Sequence, residues 1–144
     1  MKIVLQRVSS AKVEVQGKTV GEIGTGFLVL FGAAKGDTKE DADRLAKKVC
    51  NLRIFEDENE RINKSLFDVG GALLVISQFT LCADCSHGNR PSFFDAMAPQ
   101  EASELYDYFC EKCESYGLNT EKGIFGESMK VSLVNEGPFT ITLD

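Results

Sequence analysis

A mixed α/β fold, a β-sheet of about seven strands with two main helices packed on it, is what the sequence predicts. Three observations carry this. Strand-like segments, alternating or continuously apolar, recur along the whole chain. Two stretches place apolar residues at helical spacing, and each lies between runs of strands. The 144 residues suit a single domain, 1–144, able to bury one core, and no repeat or linker-like shift in composition divides them.

Residues 2–8 (KIVLQRV) and 12–16 (KVEVQ) have strand character, with Val13 and Val15 alternating against Lys12 and Glu14. Gly17-Lys18 turns the chain into TVGEI, which reads as a hairpin partner. After Gly24 and Gly26 comes FLVLFGAA, a continuous apolar run that fits a strand covered on both faces. Asp37, with Glu40 three residues on, predicts the cap of a first helix whose apolar face is Ala42, Leu45, Ala46 and Val49. LRIF (52–55) reads as a short strand and EDENERINKS as a polar loop or hairpin. GALLVISQFTL (71–81) is a second buried strand whose polar tail starts at Ser77. Pro99 opens the second helix, with Ala102, Leu105, Tyr106, Phe109, Cys113 and Tyr116 as its stripe and Gly117 as its end. MKVSLV and FTITL then predict two strands on either side of Gly137-Pro138, a dipeptide poorly suited to a sheet interior.

The net charge of −6 excludes a protein that wraps long nucleic acid through many phosphate contacts, but not one that holds only its end. No apolar run approaches the roughly 20 residues that span a bilayer, so no membrane role is expected. The apolar start before Arg7 is too short for a signal peptide, which predicts a cytoplasmic protein with reduced thiols.

Three segments place reactive or binding groups where strands give way to loops. Ser77-Gln78-Phe79-Thr80 sets hydroxyls and an amide at the end of a buried strand, where backbone N–H groups leave the ladder; equally, these are the polar face of an emerging strand. HGNRPSFF (87–94) offers Arg90 to a phosphate or carboxylate, or is a surface loop. GIFGESMKV (123–131) sets Phe125 between glycines, to stack on a base or to anchor the loop in the core. Cys82-x-x-Cys85 and Cys110-x-x-Cys113 have the outline of a four-thiolate zinc site, yet the second pair lies inside a helical pattern rather than on a turn. His87 is the only histidine, and no G-x-S-x-G elbow accompanies it. Thr80 remains a conceivable nucleophile without a visible base.

SQFTL (77–81) together with NEGPFT (135–140) resembles the paired signature motifs of the D-aminoacyl-tRNA deacylases. KIVLQRVSSAKVEV, GNRPSF and FGESMKVSLVNEGPFT resemble that family in the same order, over essentially the whole chain. The resemblance implies a homodimer with a barrel-like arrangement of sheet, hydrolysing the ester between a D-amino acid, or mischarged glycine, and the 3′-terminal adenosine of tRNA. It implies that Gly137-Pro138 is cis and enters the partner subunit's site, its carbonyls receiving the substrate ammonium so that an L side chain strikes the wall. By the same likeness Ser77, Gln78, Phe79 and Thr80 line the catalytic pocket, Arg7 and Asn135 support the Gly-Pro, and Phe125, Gly126 and Met129 seat the adenosine. The family's chemistry implies RNA-assisted catalysis through the terminal 2′-hydroxyl, with no cofactor and no metal. Phe139 departs from the family motif, where a smaller aliphatic residue is common. Two other readings follow from residues alone: a zinc-stabilised RNA-binding module, and a Thr80-dependent hydrolase of small esters.

Overall fold

A computed structural model describes all of residues 1–144. In chain order the elements are β1 (Lys2–Val15), β2 (Lys18–Ile23), β3 (Gly26–Gly32), α1 (Lys39–Asn51), β4 (Phe55–Glu56), β5 (Ile62–Lys64), α2 (Leu66–Val69), β6 (Ala72–Ser77), α3 (Pro99–Ser115), β7 (Thr120–Lys122) and β8 (Lys130–Leu143). The mixed α/β architecture expected from the sequence is present. Six strands form the main sheet, in the order β2-β1-β3-β6-β7 with β8 on the free side of β1, and β4-β5 form a separate hairpin.

The shape of the sheet follows from β1. Along one edge it pairs with β8 almost throughout; along the other its first half pairs with β3 and its second half with β2. This fork rolls the sheet until β2 lies over β6 and β7, a nearly closed barrel. At the closure a Cβ on Gly21 would stand 2.9 Å from the Lys122 carbonyl and 3.1 Å from Leu74 Cδ1, so only glycine permits the approach. β3 and β6 run parallel and are buried on both faces. Phe27, Val29, Phe31, Leu73 and Val75 turn toward the helices, while Leu28, Leu74 and Ile76 fill the barrel interior.

α1 and α3 cover the outer face. α1 buries Ala42, Leu45, Ala46, Val49 and Cys50, and α3 buries Ala102, Leu105, Tyr106, Phe109, Cys110 and Cys113. Phe31 is clamped by this layer, its ring 5.1 Å from Phe109 and 5.8 Å from Tyr106.

Several sequence expectations need correction. The segments 2–8 and 12–16 are one strand: Val8 pairs with Asn135 and Ser10 with Val134, so Ser9 is the extra residue of a bulge. The bulge exchanges faces, sending Ile3 and Leu5 toward the helices but Ala11 and Val13 into the barrel. The cap of α1 is Thr38 with Asp41, not Asp37 with Glu40. Asp37 is already engaged, accepting from Ala34 N–H at 2.7 Å and pairing with the Met1 ammonium. LRIF contributes only Phe55 to a strand, and the buried strand from 71 stops at Ser77, where Phe79–Cys82 form a 3-10 turn. α2, capped by Ser65 and Asp68, and β7 were not anticipated. The two strands around Gly137-Pro138 are a single strand, β8, with an excursion in its middle.

Candidate active site

A cleft of about 280 Å³ opens where β3 and β6 end, lined by Phe31, Ala33, Ile76, Ser77, Gln78 and Phe79 on one side and by Ala102, Phe125, Gly126, Glu127, Met129 and Val131 on the other. Its position follows from sheet construction: parallel strands finish together, and the amides beyond them have no ladder to join. Gln78 N–H makes the last of these bonds, to Phe31 O at 2.7 Å. The 3-10 turn then begins with Leu81 N–H donating to Gln78 O at 3.2 Å, so the amides of Phe79 and Thr80 have no carbonyl partner. The turn sits directly against β3, because a Cβ on Gly32 would lie 2.9 Å from Gln78 O and 3.0 Å from Leu81 Cβ.

Thr80 stands at the lip rather than in the lining of the cleft. Its Oγ1 accepts from Gln78 Nε2 at 2.5 Å. Neither end of a carboxamide is a base near neutral pH, so Thr80 has no visible activator. His87 is exposed, with Nδ1 2.8 Å from the Ser86 hydroxyl, and is not among the cleft residues. The cleft therefore offers amide donors and shape rather than a catalytic base of the His type.

The opposite wall is fastened to the core. Gly123 N–H and the Tyr106 hydroxyl both donate to Val75 O, at 3.2 and 2.7 Å. Burial drives the Tyr106 hydroxyl far above its ordinary pKa, so it remains a donor. Phe125 packs 6.0 Å from the Tyr106 ring, and Gly126, at φ +82°, turns the loop back so that Glu127 N–H reaches Ile124 O at 3.3 Å. Met129 occupies the space a Cβ on Gly123 would need, 2.5 Å from its sulfur. The three residues expected to seat an adenosine thus share one cleft with Ser77, Gln78 and Phe79.

Gly137 and Pro138 are not in that cleft. Gln6 pairs with Thr140 and Val8 with Asn135, so Arg7 alone stands opposite Glu136, Gly137, Pro138 and Phe139. Those four residues form an excursion from β8; the Gly137–Pro138 bond is cis, and both residues are exposed. Arg7, only 8% exposed, holds its base: Nε donates to Glu136 O at 2.9 Å and Nη1 to Ile54 O at 2.6 Å. Its guanidinium also lies 4.8 Å from the Phe139 ring centroid, which gives that departure from the motif a packing role. Asn135 closes the other side, its Oδ1 accepting Phe139 N–H at 2.8 Å.

The cysteines do not assemble. Cys85 is exposed on a loop, Cys110 and Cys113 are buried under α3, and no group of three or more His, Cys, Asp or Glu is placed to hold a metal. Burial raises Cys110 to about 12, and Cys113 is raised by its hydrogen bond with Cys50 and by burial, so these thiols stay protonated. Glu127, Ala33 and Ala102 are cleft residues that the sequence did not point out; Glu127 could have been suspected from its place beside Gly126.

Residues 4–144 match the family model described as D-Tyr-tRNA(Tyr) deacylase. A protein of Thermosipho africanus (strain TCF52B) named D-aminoacyl-tRNA deacylase is 54% identical over 144 residues, covering 100% of this chain and 97% of that protein. One of Clostridium botulinum (strain 657 / Type Ba4), bearing the same name, is likewise 54% identical over the same coverage. Among solved structures, the c-Myc DNA Unwinding Element Binding Protein superposes with a TM-score of 0.93 at 38% identity, covering 100% of this chain and 98% of that one. A probable eukaryotic D-amino acid tRNA deacylase superposes with a TM-score of 0.82 at 20% identity over 99% of this chain and 97% of that one, a likeness of fold.

Proposed function

This chain belongs to the D-Tyr-tRNA(Tyr) deacylase family, and from that premise we propose how it works as a D-aminoacyl-tRNA deacylase. The substrate is the ester between a D-amino acid, or mischarged glycine, and the terminal adenosine of tRNA. The observation that carries the mechanism is a separation: the cleft contains Ser77, Gln78 and Phe79 but not Gly137 or Pro138, which project from the far side of β1. A cleft without a selector and a selector without a cleft fit a homodimer in which each subunit's Gly137-Pro138 enters the other's cleft. β8 suits that role, since it pairs only with β1 and none of its residues is buried in the single chain.

In the assembled site Phe125, Gly126 and Met129 seat the adenosine. The free amides of Phe79 and Thr80 receive the negative charge that develops on the carbonyl oxygen as water attacks. The Gly137 and Pro138 carbonyls accept hydrogen bonds from the substrate ammonium, with Arg7 and Asn135 fixing their position. A D side chain then points outward, an L side chain collides with the wall, and glycine, lacking a Cβ, is accepted. The terminal 2′-hydroxyl orients the attacking water, which fits a cleft whose nearest threonine, Thr80, stands at its lip and is tied to an amide. Five free cysteines and a tRNA substrate fit a cytoplasmic enzyme.

The deciding experiment compares matched D- and L-aminoacyl-tRNA with the purified protein. Hydrolysis of the D form, with the L form left intact, is expected, and equal rates would remove the selector. A tRNA ending in 2′-deoxyadenosine should resist cleavage while Thr80→Ala retains most activity; the reverse pair of results would favour the Thr80-dependent hydrolase.

A further inference from the structure

One rim of the cleft carries aromatic surface that packing within the chain does not use. Phe79 lines the cleft yet is 53% exposed, and its ring meets Phe93 edge-on, with centroids 5.0 Å apart. Phe94, next in sequence, is 76% exposed, and Lys35 Nζ lies 3.6 Å from its ring centroid. Lys35 joins none of the chain's salt bridges, so its charge is free.

These groups are held in place. Asp84 and Ser92 exchange two backbone hydrogen bonds at the base of the loop, 2.8 and 2.9 Å. Ala96 N–H closes a turn onto Phe93 O at 3.1 Å, and Lys35 N–H donates to Asp95 O at 2.9 Å. Ala33, two residues before Lys35, is itself a cleft residue, so rim and cleft are continuous.

We infer that the Phe79–Phe93 pair and the Lys35-capped Phe94 ring form a stacking platform for the single-stranded nucleotides just 5′ of the terminal adenosine. Exposed rings beside an unpaired cation are what an unpaired RNA strand requires: π-faces for its bases and a positive charge for its phosphates. The platform also answers a problem of charge, because a chain of net −6 must gain affinity for RNA from few contacts. The inference rests on the proposed activity for the identity of its ligand and extends it by one or two nucleotides.

The test is binding, so that it does not depend on hydrolysis. The trinucleotide CCA and adenosine monophosphate are titrated into the wild-type protein, Phe94→Ala and Lys35→Met. Stacking predicts that CCA binds about tenfold more tightly than adenosine monophosphate, and that Phe94→Ala erases most of this margin without weakening the mononucleotide. Lys35→Met should give a smaller loss and a shallower salt dependence. Equal affinity of the wild type for the two ligands overturns the platform, as does a Phe94→Ala variant that keeps the margin or that changes oligomeric state instead. Should CCA bind as expected while D-aminoacyl-tRNA is not hydrolysed, the platform stands and the proposed activity fails. If D-aminoacyl-tRNA is hydrolysed but CCA shows no margin, the activity stands and the platform fails.

Discussion

The cleft beside Ser77 and the excursion at Gly137 use the same material, main-chain polar groups, for opposite ends. In the cleft two amides lie free because parallel strands have ended, and the surroundings are rigid: Gly32 admits the 3-10 turn, and Val75 O anchors the far wall twice. In the excursion the backbone leaves its ladder and projects into solvent, fixed only at its base by Arg7 and Asn135. Arg7 is a nearly buried cation held by two carbonyls and a ring, with no carboxylate partner. Such a charge is costly to bury, which argues that placing Glu136 and its neighbours matters more here than stability. In the proposed mechanism neither region is a complete site alone: one would supply donors and a cavity, the other acceptors and a boundary.

The largest effect should come from breaking each half in a different chain. A Cβ on Gly137 would stand 2.9 Å from Phe139 N, at a φ of +146° that other residues rarely adopt, so Gly137→Ala should displace the selector. Ser77→Tyr places a ring in a cleft of about 280 Å³ and should exclude substrate. Each variant alone is expected to lose activity. If the subunits pair as proposed, co-refolding the two should restore it, because a mixed dimer joins an intact cleft from one chain to an intact excursion from the other. Continued inactivity of a verified heterodimer would place both halves in one chain and end the comparison.

A smaller change should separate rate from handedness. Gly32→Ala puts a methyl 2.9 Å from Gln78 O and 3.0 Å from Leu81 Cβ, so the turn bearing the free amides must shift by a few tenths of an ångström. We expect kcat on D-aminoacyl-tRNA to fall about tenfold, given the steep cost of displaced transition-state donors. The ratio of D to L hydrolysis should not change, since Gly137 and Pro138 are untouched. A loss of chiral preference in this variant would show that the cleft itself selects.

The sheet, both long helices and the cleft-lining segments were legible in the sequence because each rests on local pattern. Periodicity gave α1 and α3, and the buried runs gave β3 and β6. What was hidden depends on partners distant in sequence. Asp37 with Glu40 has the spacing of a helix cap, but the Met1 ammonium and Ala34 N–H engage Asp37, and the cap is Thr38. Ser9 and Ser10 read as a gap between strands, although β8 holds them in a bulge that turns the next residues to the other face. The failure of the zinc outline, by contrast, was legible: Cys113 falls on the apolar stripe of α3, and Cys110 and Cys113 are both buried in the core. Gly137-Pro138 stood out by composition, whereas its support by Arg7 had to come from family resemblance, since a residue near the start of a chain carries no local sign of a carbonyl at position 136.

The smallest effect belongs to a part of the molecule outside both regions, and it serves as their control. Asp41 accepts hydrogen bonds from Thr38 N–H and Oγ1, at 2.9 and 3.1 Å, and these hold its carboxyl below the ordinary value of 3.8. A carboxylate with a depressed folded-state pKa stabilises the fold fully above its unfolded value, and loses that contribution as pH falls through the lowered one. Asp41→Asn cannot titrate, so its Tm should fall less between pH 5 and pH 2 than that of the wild type, from a slightly lower starting point. Because α1 lies behind the sheet, the variant should hydrolyse D-aminoacyl-tRNA and refuse the L form as the wild type does at neutral pH. A change in that ratio would mean that the cleft and the excursion are coupled through the helical layer. In that case a displacement introduced in either region would be felt in the other, and the division between a part that sets rate and a part that sets handedness would give way.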